Sequence, residues 1–321
     1  MKGLDIGTNT IICASPKSIE LQRDAFLSLE GMQTTKTQLK KLGVSYIELS
    51  NKIYIIGTAA NELAAIFNNS ELKRPLKDGM LNPSEQDALP ILAAIIKSLL
   101  GDPEEGEHCV YSIPAAPIDI NHEIDYHDDM LKLILQQLGY TPISLNEAVA
   151  ISNVGLINDN FTGITISMGA GMTNIAIMYK GISVLTFSVS KGGDWIDKMV
   201  AQETGLTIAR IRMIKEKNNY SISNGDRSRE QQAIKTYYEA YIRYILKYIE
   251  IQFTKNLSMP NFENSVPIVI GGGGCMVNGF IDSFKQQFVQ KEFPLEISDI
   301  KLVEEPLTAV ARGCLEEAKI G

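Results

Sequence analysis

The chain has 321 residues, 45% of them hydrophobic, and a formal net charge of −8 from 30 Lys plus Arg and 38 Asp plus Glu. That length can bury a large core, most simply as two domains, and the mild acidic excess argues against non-specific nucleic-acid binding. No apolar run approaches the roughly 20 residues that span a bilayer, and strand-like sequence begins directly after Met1-Lys2, so a cytoplasmic chain with no signal peptide or membrane anchor is expected.

Strand and helix signals alternate along the chain, the pattern of an α/β protein. KGLDIGTNTIICAS reads as a hairpin, KSIEL as a strand, and YIELSNKIYIIG as more strand. NELAAIFNN is a short helix and RPLKDGML a polar turn. EQDALPILAAIIKSLL is a helix that places Leu89, Leu92, Ala93, Ile96 and Leu99 on one face. HCVYSIPAA is a strand ended by proline, HDDMLKLILQQLG an amphipathic helix closed by glycine, and PISLN a strand running into a helix near Glu147. GITISMGAGMTNIAIMYKGISVLTFSV follows as a hairpin and a further strand.

GGDWIDKMVAQETG and TIARIRMIKEK are helices, the first with acids in its opening turn. The longest helix, REQQAIKTYYEAYIRYILKYIEIQF, carries Ile234, Tyr238, Tyr241, Ile245 and Tyr248 at three-to-four spacing, which reads as a packing face rather than a ligand site. VPIVIGGGG is a buried strand into a turn, and PLTAVARGCLEEA a closing helix. Cys13, Cys109, Cys275 and Cys314 sit in separate apolar segments and read as buried reduced thiols. His108, His122 and His127 have no partners at metal-binding spacing and read as surface residues.

An internal echo organises these elements. LDIGTNTIICA at 4–14 and ISMGAGMTNIAIM at 166–178 share the order apolar, polar, apolar, Gly, two small or polar residues, Thr and an apolar strand, with Ser167 in the place of Asp5. Turns of Gly, Thr, Asn and Ala expose successive backbone N–H groups that bind phosphate oxygens, and a carboxylate just before the turn holds the waters of Mg²⁺. One such turn alone is an ordinary β-turn; two matched hairpins plus IGGGGCMVNG at 270–279 point to a ligand held between two domains. The chain has no GxxxxGK and no GxGxxG after its first strand, which argues against Walker-type and dinucleotide folds.

The order LDIGTNT, RPLKDG, LNEAVA, SMGAGMTN, GGDWID, IKEK, GGGGCMVNG and EPLTAVARG resembles the actin-like ATPases. Within the superfamily of actins, heat-shock chaperone ATPases and sugar kinases, it is most similar to bacterial actins of the MreB and MamK type, from Lys2 to the last helix. The resemblance implies two ribonuclease-H-like domains with mixed five-stranded sheets flanked by helices and a nucleotide cleft between them. Domain I would comprise residues 1–145 plus 306–321, with a small lobe at about 28–74, and domain II residues 146–305. Only a loop at about 218–229 stands where the second small lobe belongs, so that lobe is nearly absent.

The resemblance further implies ATP and Mg²⁺ as ligands. Gly7, Thr8, Asn9 and Thr10 would form the first phosphate loop, with Asp5 holding the metal through water. Ser167, Gly169, Ala170, Gly171, Met172 and Thr173 would form the second, with Gly193 nearby. Lys215 and Glu216 would lie along the ribose and base, and Gly272, Gly273, Gly274 and Met276 would floor the adenine pocket; read alone, Lys215 and Glu216 are equally a solvated helix end. Glu147 would orient the attacking water, although a first-turn glutamate also suits the helix dipole.

Three positions depart from the family pattern: Ser167 and Asn174 replace aspartates, and Ala148 replaces the proline after the glutamate. One metal-ordering carboxylate is thereby lost, and ATP binding with slow hydrolysis is expected. The implied function is a cytoskeletal, self-assembling filament protein with an unknown cargo or adaptor. The alternatives are a non-polymerising chaperone-like or scaffold ATPase of the EutJ or heat-shock type, and a small-molecule kinase, for which the chain is short and lacks an evident aspartate base.

Overall fold

The computed structural model describes residues 1–29, 36–66, 72–121, 124–217, 219–225, 227–256, 258–289 and 293–320. Strands β1 (Lys2–Ile6), β2 (Thr10–Ala14) and β3 (Ile19–Arg23) form an antiparallel meander. A lobe follows with its own apolar core around Leu27, Leu39 and Ile55: β4 (Phe26–Ser28), α1 (Lys36–Lys41), β5 (Tyr46–Leu49), β6 (Lys52–Ile56) and α2 (Thr58–Ile66). Parts of the expected small lobe, residues 30–35 and 67–71, lie outside the described residues.

RPLKDGML, expected as a turn, is a tight hairpin of β7 (Leu76–Lys77) and β8 (Met80–Leu81). Its two central residues, Asp78 and Gly79, have φ of 52° and 83°, the left-handed pair that a two-residue hairpin turn requires. Helix α3 (Ala88–Leu100), strand β9 (His108–Ile113), helix α4 (Asp125–Gln137) and strand β10 (Thr141–Asn146) complete the first half. The buried face of α3 centres on Ile91, Leu92, Ile95, Ile96 and Leu99, so the expected face is rotated slightly and leaves Leu89 and Ala93 at its margin.

The second half runs α5 (Glu147–Gly155), β11 (Gly163–Met168), β12 (Thr173–Tyr179), β13 (Ile182–Val189), α6 (Gly193–Thr204), α7 (Ile208–Lys217) and the long α8 (Arg229–Lys255). It ends with β14 (Val266–Gly271), α9 (Phe280–Phe288), β15 (Ile297–Leu302) and α10 (Ala309–Ala318). Between α7 and α8 the described residues form no helix or strand; Ile222 is buried there and its N–H donates to the Asn278 carbonyl at 2.9 Å. Asn218 and Asp226 of that segment lie outside the described residues.

The two five-stranded sheets repeat one topology, β10-β9-β1-β2-β3 and β13-β12-β11-β14-β15. In each, the central strand has an antiparallel meander on one side and two parallel strands on the other. The internal echo of the sequence is therefore the start of a structural repeat. Helices α3 and α4 cover the first sheet, and α6, α7, α8 and α9 the second. Helices α5 and α10 lie between the sheets, where Ala148, Ile151, Val310 and Cys314 join Val110 of β9 and Val269 of β14 in one cluster.

All four cysteines are buried free thiols, as expected. The surface assignment fails for His127, which is 3% exposed. It lies on the apolar face of α4 beside Leu131 and Leu135, where burial lowers its pKa to about 4, and the neutral ring accepts the Leu81 N–H through Nδ1 at 3.3 Å. The polar run HDD hid a position on the buried side of the helix. His108 is half-buried, and His122 lies outside the described residues.

Helix α10 crosses its neighbours at backbone contact. A Cβ on Gly313 would stand 1.8 Å from the Ala150 carbonyl oxygen of α5, and one on Gly3 would stand 2.3 Å from the Ala311 oxygen of α10. Replacing a helical glycine by alanine ordinarily gains up to about 1 kcal/mol. Here the sign reverses, because backbone on both sides must move: Gly313→Ala is expected to lower stability by about 3 kcal/mol, read as a fall in the urea midpoint.

Candidate functional site

Between the two sheets lies a cleft of about 530 Å³, within the range of small-molecule sites. Two turns face it, and their geometry matches. The Gly7 N–H donates to the Thr10 carbonyl at 3.2 Å, and the Gly169 N–H to the Met172 carbonyl at 3.0 Å. A Cβ would fall 2.8 Å from the Thr10 oxygen in the first turn and 2.9 Å from the Met172 oxygen in the second. Among the described residues, the N–H groups of Thr8, Asn9, Ala170 and Gly171 have no acceptor within the protein. Such runs of unclaimed amides form anion-binding concavities.

The floor carries two carboxylates. Asp5, two residues before the first turn, accepts the Ser112 hydroxyl at 3.0 Å, and Ser112 also accepts the Ile6 N–H at 3.0 Å. Glu147 opens α5 because Asn146 caps that helix, its side-chain oxygen accepting the Ala148 and Val149 N–H groups at 2.9 and 3.3 Å. Thr165 ties the same turn to β11 through the Ala148 carbonyl at 2.6 Å. Ser167, two residues before the second turn, donates to Glu147 Oε2 at 2.9 Å.

Burial and the neighbouring Glu147 carboxylate push the Asp5 pKa up to about 8. Burial also raises the pKa of Glu147, opposed by Ser167 and by the Asn174 amide. Asn174 Oδ1 accepts the Ala115 N–H at 2.7 Å, while its buried Nδ2 has no partner within bonding distance and acts on Glu147 as an oriented dipole across a gap. Two facing carboxylates without an adjacent cationic side chain are the charge arrangement a hydrated divalent cation relieves. Among the described residues no group of three His, Cys, Asp or Glu side chains could hold a metal directly; a hydrated cation would meet the two carboxylates through its waters.

Cations gather on the wall. Asp194 is clamped by Arg74 at 2.7 Å and Arg212 at 2.9 Å, and the buried Asp197 by Lys215 at 2.6 Å and Arg212 at 3.3 Å. These pairs tie both carboxylates of the α6 start into ion pairs beside the second turn. Arg74 also donates to the Asn9 side-chain oxygen at 2.8 Å, so it links the first turn to α6 across the cleft. Arg23 and Glu216 stand 3.7 Å apart across the mouth.

Of the residues singled out in the sequence, Asp5, Gly7, Thr8, Asn9, Thr10, Glu147, Ser167, Gly169, Ala170, Gly171, Met172, Gly193, Lys215, Glu216, Gly272, Gly273, Gly274 and Met276 all line this cleft. Thr173 does not. It is fully buried behind the second turn, where its hydroxyl donates to the Lys191 carbonyl at 2.8 Å and meets the Tyr241 hydroxyl. The N–H groups of Gly193 and Asp194 are taken by the Gly169 and Ala170 carbonyls at 3.0 and 2.9 Å, so the α6 start buttresses the second turn. Sequence reading missed Arg74, Ser112, Asp194, Asp197 and Arg212. Arg74 and Asp194 belong to the quoted segments RPLKDG and GGDWID, but their pairing across 120 residues leaves no local signal.

Two repeated sheets, two central helices and a cleft under paired glycine turns define an actin-like α/β protein. Residues 1–318 match the family model described as Volactin, and the chain belongs to that family. No curated protein matches it. Its structure is similar to that of a MamK double helical filament, with 18% identity, a TM-score of 0.74, and coverage of 99% of this chain and 98% of that one. MreB 5 of Spiroplasma citri bound to AMPPNP matches with 16% identity, a TM-score of 0.69, and coverage of 97% and 93%. The ethanolamine utilization protein EutJ from Carboxydothermus hydrogenoformans matches with 17% identity, a TM-score of 0.55, and coverage of 98% and 89%.

The raised pKa of Asp5 has a measurable consequence for the ligand-free protein. Between its ordinary value of 3.8 and its folded value of about 8, the native state binds a proton that the unfolded chain does not. Its contribution to stability therefore declines as pH rises through that window and is constant above it. Asp5→Asn, neutral at every pH, is expected to match the parent near pH 4 and to be the more stable of the two at pH 8. Thermal melts without nucleotide at both pH values check this.

Proposed function

We propose that the chain is an actin-like cytoskeletal protein that binds ATP with Mg²⁺ in the cleft, hydrolyses it slowly, and assembles into filaments. The observation that carries this reading is the pair of matched turns, each offering unclaimed amides to the same cleft from opposite sheets. The backbone amides, with Thr8, Asn9 and Thr10 beside them, bind the β- and γ-phosphates. The turn at Gly272–Gly274 lets a flat purine approach the backbone.

Mg²⁺ would be held by the phosphates and by waters on Asp5, and when bound it neutralises charge on the phosphates. Glu147, held by Ser167, orients a water in line with the γ-phosphate and accepts its proton. Ser167 offers a hydrogen bond where a carboxylate would order a further metal-bound water, so turnover is slow. A triphosphate touching both turns binds the closed arrangement better than an open one and shifts the population toward closure. Assembly rests on kinship with filament-forming relatives: the MamK structure is named as a double helical filament. The likeness to EutJ supports a second reading, a scaffold ATPase that stays monomeric.

Calorimetry with ATP and MgCl₂ tests the first step, and an absence of heat with any purine triphosphate overturns the reading. Sedimentation then separates the two readings: nucleotide-dependent pelleting supports the filament, and a persistent monomer the scaffold. Glu147→Ala is expected to retain binding and pelleting while phosphate release falls by about 100-fold or more. Ser167→Asp is expected to raise phosphate release by about tenfold; equally fast release in parent and variant overturns the role given to Ser167.

A further inference from the structure

Helix α8 carries tyrosines at 238, 241 and 244, a stripe whose spacing alone reads as packing. Their hydroxyls end on three different partners, one lining the cleft, one behind the second turn and one on a segment from the first half. Tyr238 donates to the Gly274 carbonyl at 3.1 Å, in the glycine turn at one end of the cleft. Tyr241 meets the hydroxyl of Thr173, directly behind the second turn. Tyr244 donates to Asp119 at 2.7 Å.

Asp119 belongs to a strap from the first half. Residues 115–119 leave β9 and lie along β13 of the second, with the Ile118 N–H donating to the Ser188 carbonyl at 3.0 Å and the Ser188 N–H to the Ala116 carbonyl at 3.2 Å. The Ser190 N–H and hydroxyl also donate to Asp119, at 2.9 Å each. The strap's Ala115 N–H donates in turn to Asn174, behind Glu147.

Packing alone would be served by phenylalanine. Tyr238 and Tyr241 are 1% and 0% exposed, and a buried hydroxyl without a partner is costly. The donor directions also resolve. Thr173 gives its proton to the Lys191 carbonyl at 2.8 Å, so its oxygen accepts from Tyr241. A chain runs from α8 through Thr173 to the backbone that enters α6. Each successive pair, three residues apart, is adjacent on the helix surface, so one helix carries the groups that meet the glycine turn, the phosphate turn and the strap.

We infer that Tyr238, Tyr241 and Tyr244 are positioning residues that hold the purine end, the polyphosphate end and the inter-sheet strap in register, so that nucleotide occupancy is transmitted to residues 115–119. The inference rests on the proposed nucleotide reading and adds to it a division of labour along one helix. Tyr241 serves the polyphosphate, Tyr238 the base, and Tyr244 the strap.

The test uses the full chain and calorimetric affinities for Mg²⁺–ATP and for AMP. The control on the same helix is Tyr237→Phe, which removes a hydroxyl that pairs with Glu203 rather than with the cleft or the strap. Tyr241→Phe is expected to weaken ATP by about tenfold while AMP changes less than twofold. Thr173→Val reproduces this, and the double variant loses no more than either single one, because both remove one chain of bonds. Tyr238→Phe weakens ATP and AMP by the same factor. Tyr244→Phe abolishes the slowing of amide exchange at Ile118 and Ser188 that ATP causes in the parent.

A merely structural role lowers the melting temperature but leaves the ATP-to-AMP ratio of Tyr241→Phe and Thr173→Val where the Tyr237→Phe control has it, and that result overturns the inference. Unequal loss of ATP and AMP in Tyr238→Phe, or intact ATP-dependent protection of the strap in Tyr244→Phe, also overturns it. A parent that binds neither nucleotide sinks the nucleotide reading itself; a parent that binds both while Tyr241→Phe and Thr173→Val keep its ratio sinks only the division of labour.

Discussion

The cleft depends on a contact between two backbones. Helices α5 and α10 approach so closely at Gly313 and Ala150 that no side-chain atom fits between them, and α10 meets β1 as closely at Gly3. Each helix belongs to one sheet and is pressed against the other through a shared apolar cluster. Interiors pack at near-crystalline density, so a gap of one methyl group at this joint would separate the sheets rather than compress. The first strands of both sheets, and the turns that follow them, face each other because this joint is closed.

Above the joint, contacts of a different character cross the cleft. The Gly79 N–H of the β7–β8 hairpin donates to Thr8 at 3.1 Å, and Gly171 of the second turn lies so near that a Cβ would meet the Gly79 nitrogen at 2.2 Å. Arg74 reaches Asp194, and Arg23 faces Glu216. The first ion pair is half-buried and shared with Arg212; the second is largely exposed and contributes little on its own. An apolar joint at one end and polar contacts at the other are the arrangement from which, in the proposed function, the body would open at its mouth. In the proposed function, a triphosphate supplies the missing contacts there.

The fold was legible where chemistry is local. Glycine turns, the Asn146 cap before Glu147 and the alternating strands of the repeat announce themselves within a few residues, and the order of these signals matched the actin-like pattern. Strand β15 and helix α9 did not stand out, since the polar residues of ISDIKL and FIDSFKQQF blur both periods. Side-chain roles set by distant partners were the least legible. Thr173 follows the second turn in sequence, yet strand pairing turns its hydroxyl away from the cleft toward Tyr241. Tyr238 and Tyr241 of α8 do pack, as their spacing says, but periodicity reports which face a residue occupies and not what its hydroxyl meets.

The neutral residues at 167 and 174 fit the electrostatics of the floor. Burial already raises the cost of ionising both Asp5 and Glu147, and the Glu147 carboxylate adds to that of Asp5. A third carboxylate at Ser167, 2.9 Å from Glu147 Oε2, would replace a donor by a like charge and leave the empty cleft dependent on a bound cation. Serine removes that dependence and keeps Glu147 oriented. Asn174 extends the arrangement, with its oxygen on the strap and its amide dipole toward Glu147. In the proposed function, the neutral residues trade a charge useful only with metal and nucleotide bound for a floor that does not depend on them, and slow turnover is the companion of that trade.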